Sequence, residues 1–366
     1  MMAWSFVGTP VIRQPGTSGR GGGHFSVHPA GGLDRLARNE RTAMNDPLSR
    51  RGFIHHSMLA TAGVAAGAGL PARAPAAENK PAAPASKKLL PTGKIGELQI
   101  TRLILGGNLL TRYNHPRDLG YINKLVRSYN TDAKVRETIE LAEAHGINTL
   151  SVNVTPAVCK TLNDHRKNGG KMQWILYSTA NIEDVAGYDA QIQQMVNDGT
   201  EAIYIWGVHC DRYLGEGKFS VITRTLERIK QHNVPCGIGA HDLAVVQQCE
   251  KDKLPADFYI KTLHHHRYPT APRPGEAARN TSEVPGYWCK NPEETVEFMK
   301  TVAKPWIAFK VMAAGAIPPK NAFPYAFSSG GDFILAGMFD FDVAEDCDVA
   351  RAAVAQVQNR ARPWRA

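Results

Sequence analysis

Between residues 101 and 360, short and nearly continuous apolar runs alternate with amphipathic stretches. Eight runs stand out, at 101–106, 148–153, 173–178, 202–208, 236–240, 258–263, 306–311 and 333–337. Each is apolar at consecutive positions and carries β-branched or aromatic members, the pattern of parallel strands covered on both faces. Helical patterns fall between them. Residues 132–145 open on Thr131-Asp132 and stop before Gly146; 219–233 place apolar residues at helical spacing. Residues 242–253 open on Asp242, 292–304 on Asn291-Pro292, and 344–359 close the set. Eight strand–helix repeats in about 260 residues predict one α/β domain, a (β/α)8 TIM barrel over residues 90–366.

The chain ahead of the barrel reads differently. Ser49-Arg50-Arg51-Gly52-Phe53-Ile54 precedes an uncharged, small-apolar run from Ser57 to Leu70, the arrangement of a twin-arginine signal. That run is shorter and less hydrophobic than the ~20 residues a spanning helix needs, so no stable membrane span is expected. Residues 44–76 are predicted to be a removed signal peptide, with small-x-small cleavage positions at Ala72-Arg73-Ala74 and Ala74-Pro75-Ala76. Residues 77–89 then form a linker, and residues 1–43 read as a non-native or disordered extension. The expected partner during export is the twin-arginine translocase, which carries folded chains, and the expected location is periplasmic or extracellular.

This division changes the charge balance. The whole chain has 43 Lys+Arg against 34 Asp+Glu, but beyond residue 76 the counts are 35 and 31. The basic character belongs mainly to the leading segment, and no basic run in the body suggests a nucleic-acid track. The six cysteines, at 159, 210, 236, 249, 289 and 347, form neither a C-x-x-C pair nor a haem-attachment motif. Several fall in apolar runs, so packing as small hydrophobes is the expectation ahead of disulfides.

Chemistry in such a barrel gathers where strands end. Two long loops follow strands there. The first, 108–130, carries Arg112, Tyr113, His115, Arg117 and Asp118; the second, 264–291, carries three histidines, Arg267, Tyr268, Arg273, Tyr287 and Trp288. Loops of this length commonly bind or cover a ligand. Asn108, Asn153, Arg112, Arg267, Tyr268 and Trp288 are therefore candidates to hold a small polar substrate.

Leu90-Pro-Thr-Gly-Lys-Ile-Gly-Glu-Leu-Gln-Ile-Thr-Arg-Leu-Ile-Leu-Gly-Gly107, Ala142-Glu-Ala-His-Gly-Ile-Asn-Thr-Leu150 and Trp206-Gly-Val-His209 resemble segments of the aldo/keto reductase superfamily. The resemblance implies an opening hairpin, a barrel, and carbonyl reduction with NAD(P) through an Asp, Tyr, Lys and His. The family's histidine matches His209. Its other three positions are occupied by Ser151, Pro156 and the Leu176-Tyr177-Ser178 strand end, which has no lysine. The last strand runs into Asp340, Asp342, Glu345 and Asp346, carboxylates that oppose a bound phosphate.

The strand ends offer other groups. His209, His241 and His264 follow three successive strands, and neighbouring strands lie ~4.8 Å apart. Their imidazoles would suit Zn, Mn, Fe or Ni; the alternative is that these rings hydrogen-bond loop backbone. Alternation does not say which of His264, His265 and His266 faces inward. Lys310 is expected beside them as a proton carrier or oxyanion stabiliser. Asp211 and Asp242 each sit just past a histidine, as orienting partners or helix caps. Three readings stay open. One is a lyase, isomerase or hydrolase acting on a carbohydrate-like substrate through a metal or acid/base pair. The second is an NAD(P)-dependent oxidoreductase in which His209 works with Tyr177 or Lys310. The third is a non-catalytic binding protein.

Overall fold

A computed structural model describes residues 89–272, 288–357 and 359–366. The twin-arginine motif, the cleavage positions and all but the last residue of the linker lie outside the described residues, as do Arg273 and Tyr287. The first described element is an antiparallel hairpin, β1 (Thr92–Ile95) and β2 (Leu98–Thr101). Gly96, at φ 57°, takes its tight turn. Eight parallel strands follow: β3 (Leu103–Gly106), β4 (Thr149–Asn153), β5 (Gln173–Tyr177), β6 (Ala202–Ile205), β7 (Cys236–Ala240), β8 (Phe258–Thr262), β9 (Trp306–Phe309) and β10 (Phe333–Ala336). They pair in chain order and close through β10 onto β3, giving the expected (β/α)8 barrel.

Each predicted strand is present within a few residues, and alternation splits it between two cores. Ile104, Ile175, Tyr177, Tyr204, Phe258, Ile260, Ile307, Phe333 and Leu335 fill the barrel, with Ile95 and Ile100 of the hairpin packed against them. Leu105, Leu150, Val152, Trp174, Ile203, Ile238 and Trp306 belong to the outer layer beneath the helices. Large and small residues interlock inside. A side chain on Gly237 would meet the Phe258 ring at 2.3 Å, so β7 uses glycine where β8 supplies a phenyl group.

The helices are α1 (Ile122–Tyr129), α2 (Asp132–Ala144), α3 (Pro156–Lys167), α4 (Val185–Asn197), α5 (Gly207–Gly215), α6 (Ser220–Lys230), α7 (Leu243–Lys251), α8 (Pro292–Thr301), α9 (Pro319–Ser328) and α10 (Val343–Gln356). Thr131 caps α2 by accepting from Lys134 N, and Asp242 caps α7 by accepting from Ala244 N at 3.0 Å. One expected strand is too long. Residues 202–208 do not continue as a strand past Ile205, because α5 begins at Gly207, pressed onto β7. A side chain on Gly239 would lie 2.7 Å from the Gly207 nitrogen and one on Gly207 3.1 Å from the Ala240 nitrogen, so this approach requires glycine at 239 and favours it at 207.

The N-terminal end of the barrel is closed for stability. Asp332, fully buried, accepts from Trp306 N at 2.9 Å and Arg365 N at 2.8 Å, with Arg360 and Arg362 beside it. Arg102 donates to the Asp332 carbonyl at 2.9 Å and lies 4.0 Å from the Trp364 ring centroid. All six cysteines are free thiols, five of them buried. No helix among the described residues is long and apolar enough to cross a membrane.

Candidate functional site

The opposite mouth holds a cavity of about 570 Å3. Aromatic groups make much of its wall: Tyr113, Tyr177, Tyr204, Trp206, Trp288 and Phe309. Its polar groups include Asn108, Thr111, His115, Asn153, Thr155, Thr179, His241 and Lys310. Of the residues expected at the site, the structure thus gathers Asn108, Asn153, Tyr177, His241, Trp288 and Lys310.

His241 follows β7 and is oriented from behind by α5. Its Nδ1–H donates to Asp211 Oδ2 at 2.7 Å. Asp211 also accepts from the backbone nitrogens of His241, at 3.1 Å, and Asp242, at 3.0 Å. Three donors fix this carboxylate, and the carboxylate fixes the tautomer, leaving Nε2 as the lone-pair nitrogen of a ring that lines the cavity. Burial lowers the His241 pKa more than Asp211 raises it, and Lys310 and Lys261 lower it further. The imidazole is a neutral, oriented base.

Lys310 is the first residue past β9 and has a left-handed backbone, φ 55°, followed by Ala313 and Ala314 at φ 46° and 52°. Non-glycine residues pay roughly 1 kcal/mol or more for that conformation, and such strain collects at functional sites. Nζ donates to His115 Nε2 at 2.5 Å and lies 4.5 Å from the Trp288 ring centroid and 5.3 Å from that of Phe309. Burial, with Lys310 and His241 nearby, holds the His115 pKa down to about 3. His115 is therefore neutral, accepting at Nε2 from Lys310 and, at 3.3 Å, from Asn108. In the sequence His115 is one polar residue of the long 108–130 loop. Its partner lies 195 positions away, and no local pattern announces the pair.

The three-histidine metal centre is not formed. His209 sits in the first turns of α5, where its Nε2 meets the Ala180 carbonyl at 2.9 Å among Trp206, Tyr188 and Tyr213. His264 is fully buried, and its Nε2 accepts from Trp288 N at 3.0 Å and Cys289 N at 3.1 Å. The single Nε2 lone pair of His264 is thereby occupied, His209 Nε2 carries the hydrogen it donates to the Ala180 carbonyl, and burial keeps the His264 pKa down to about 3. Among the described residues no three His, Cys, Asp or Glu side chains are grouped to hold a metal ion. The histidine run instead anchors the chain at Trp288: His266 Nε2 donates to the Cys289 carbonyl at 2.6 Å, and Thr262 Oγ1 to the Trp288 carbonyl at 2.8 Å.

Three expected substrate ligands also lie elsewhere. Arg112 donates to the Asn130 carbonyl at 2.6 Å and pairs with Asp132, tying its loop to α2. Arg267 is exposed, 5.6 Å from the Tyr325 ring centroid, and Tyr268 is buried against His264 and His265. Tyr177 lines the cavity 4.8 Å from the Tyr204 ring centroid, and burial first, then Tyr113, raise its pKa, so it keeps its proton.

A nicotinamide dinucleotide does not fit the residues present. The first turn of α10, where a phosphate would meet helix amides, carries Glu345 and Asp346 behind Asp342 at the cap. Lys134 and Lys320, the nearby cations, pair with Asp340 at 2.9 Å and Glu345 at 2.8 Å.

The chain matches no family model and no curated protein. Among solved structures it is similar to an aldo-keto reductase from Bacillus halodurans in its holo form, 11% identical, covering 75% of this chain and 98% of that one, TM-score 0.48. It is also similar to a truncated 3-deoxy-D-arabino-heptulosonate 7-phosphate synthase from Thermotoga maritima, 12% identical over 73% and 90% of the two chains, TM-score 0.40. A third is N-acetylneuraminic acid synthetase from Leptospira borgpetersenii, 11% identical over 75% and 93%, TM-score 0.40. These likenesses concern architecture alone, and the closed parallel strand order makes the chain a (β/α)8 barrel.

Proposed function

We propose that this barrel is an enzyme that moves a proton beside the carbonyl of a small, hydroxylated, carbohydrate-like substrate, in isomerase or lyase chemistry. One observation carries the reading: His241 is neutral, its Nδ1–H is held by Asp211, and its ring lines the cavity. That is the arrangement of a general base. Lys310 supplies the complementary group, a donor for the oxygen on which charge develops as the proton leaves. Neutral His115 holds the Lys310 amine from one side and Trp288 lies along another. The aromatic walls fit the apolar faces of a sugar ring, and the amides of Asn108 and Asn153 fit its hydroxyls. The substrate meets the enzyme outside the cytoplasm, on the strength of the arginine pair at Arg50-Arg51.

The test is a turnover screen of aldoses, ketoses and uronic acids by NMR, with wild type, His241→Gln and Lys310→Met. Wild type should convert at least one compound without added nicotinamide, and both variants should lose ~10²-fold or more. Equal rates in His241→Gln would overturn the assignment. Binding without turnover of every compound would make this a binding protein, and turnover only with a nicotinamide would restore the oxidoreductase.

A further inference from the structure

Beside the His241 cavity lies a second compartment of about 410 Å3, bounded by the ends of β9, β10 and β3 and by α1, α9 and α10. Asn108, His115, Trp288 and Lys310 belong to the wall it shares with the first. Much of the remaining wall is apolar, including Ile122, Val126, Met312, Ile317, Leu335 and Phe339. Two carboxylates interrupt it, Asp342 at the cap of α10 and Asp346 in its first turn.

Asp346 is the informative one. It is only 5% exposed, and among the described residues no donor reaches its carboxylate. The charges on its own helix, Asp342 and Glu345, repel it. Across the compartment stand Lys310 and His115, which already meet each other at 2.5 Å. On α9, Lys320 is engaged by Glu345. A carboxylate withdrawn from bulk water, bordering the compartment without a protein donor, costs free energy, and such costs persist where a ligand supplies the missing partner.

We infer that this compartment binds the protonated amine of an organic ligand, its nitrogen held by Asp346 and Asp342 and its apolar body against Ile122, Val126, Met312 and Phe339. Two adjacent carboxylates call for a positive charge as well as hydrogen-bond donors, which a hydroxyl does not bring. The Phe339 ring offers a further face to a cation. A bare helix N-terminus would favour an anion; here the side chains invert that preference. The inference does not depend on the proton-transfer reading, because binding alone tests it.

Burial, then Asp342 and Glu345, push the Asp346 carboxyl up to about 7. Amine binding should therefore strengthen as pH rises through neutrality and Asp346 ionises. The experiment titrates the full chain with benzylamine, benzyl alcohol and benzoate at pH 6 and pH 8, by calorimetry or NMR. Benzylamine should bind about tenfold more tightly at pH 8 than at pH 6, following the ionised fraction. Benzyl alcohol should bind at least tenfold more weakly at pH 8, and benzoate not at all. Asp346→Asn should bring benzylamine down to the level of benzyl alcohol and abolish its pH dependence. Unchanged benzyl alcohol binding by that variant would show the compartment intact. Equal affinity for amine and alcohol, comparable binding of benzoate, or an Asp346→Asn variant that binds benzylamine as wild type does would each overturn the inference.

Discussion

Replacing Asp346 by Asn should stabilise the protein, and increasingly so as pH rises. The carboxyl stands at about 7 in the fold, against an ordinary 3.8. The folded state therefore holds a proton that the unfolded chain releases, and stability is lost as pH climbs from the lower value through the higher. At 1.36 kcal/mol per pH unit, the gap bounds the cost at ~4 kcal/mol at pH 8 and ~2 kcal/mol at pH 5. Partial solvent screening at the compartment wall halves these to ~2 and ~1 kcal/mol. Asn keeps the shape and removes the charge, so at pH 8 its advantage should raise Tm by ~4–8 °C, at roughly 2–4 °C per kcal/mol for a domain of this size. Thermal unfolding of wild type and variant at both pH values measures the difference. A variant less stable than wild type at pH 8, or an advantage equal at both pH values, would show that the buried Asp346 charge does not destabilise the fold. Gain in stability with loss of amine binding is the signature of a residue kept for function.

Two further outcomes follow from other parts of the fold. Asp211→Asn should lower the His241 pKa further, since the carboxylate is what raises it, and NMR titration of the imidazole should show the Nδ1–H tautomer lost; turnover should fall by ~10²–10⁴. Asp332→Ala should destabilise the barrel by ~3–5 kcal/mol in urea unfolding, because Arg102, Arg360 and Arg362 would share a buried space without a counter-charge.

The barrel was legible because strands buried on both faces leave continuous apolar runs, and all eight appear in the structure. Helices were less so: α3 buries only Val158, Leu162 and His165, too few apolar positions to mark a stripe. At the site, His241 and Lys310 could be found from their places after strand ends. Asp211 could be suspected from its place just past His209. His209 misled because Trp206-Gly207-Val208 prolongs the apolar run of β6, yet Gly207 permits a helix to start against β7, which turns the histidine toward the Ala180 carbonyl. His264 misled for another reason. A histidine after a strand can as well accept backbone N–H groups as hold an ion, and the returning segment at Trp288, more than twenty residues on, decides which. His115 depends on a contact between the loop after β3 and the end of β9, a relation no local pattern contains.

If His241 removes a proton beside a carbonyl, the α-hydrogen of the substrate should exchange with solvent. A compound converted in the turnover screen is incubated with enzyme in D2O and its α-position followed by NMR. Wild type should exchange that hydrogen with solvent, and His241→Gln should slow the exchange by ~10²-fold or more while the fold, by circular dichroism, is unchanged. Exchange at the wild-type rate in His241→Gln, or turnover in which the α-hydrogen stays bound to carbon, would mean that His241 is not the base.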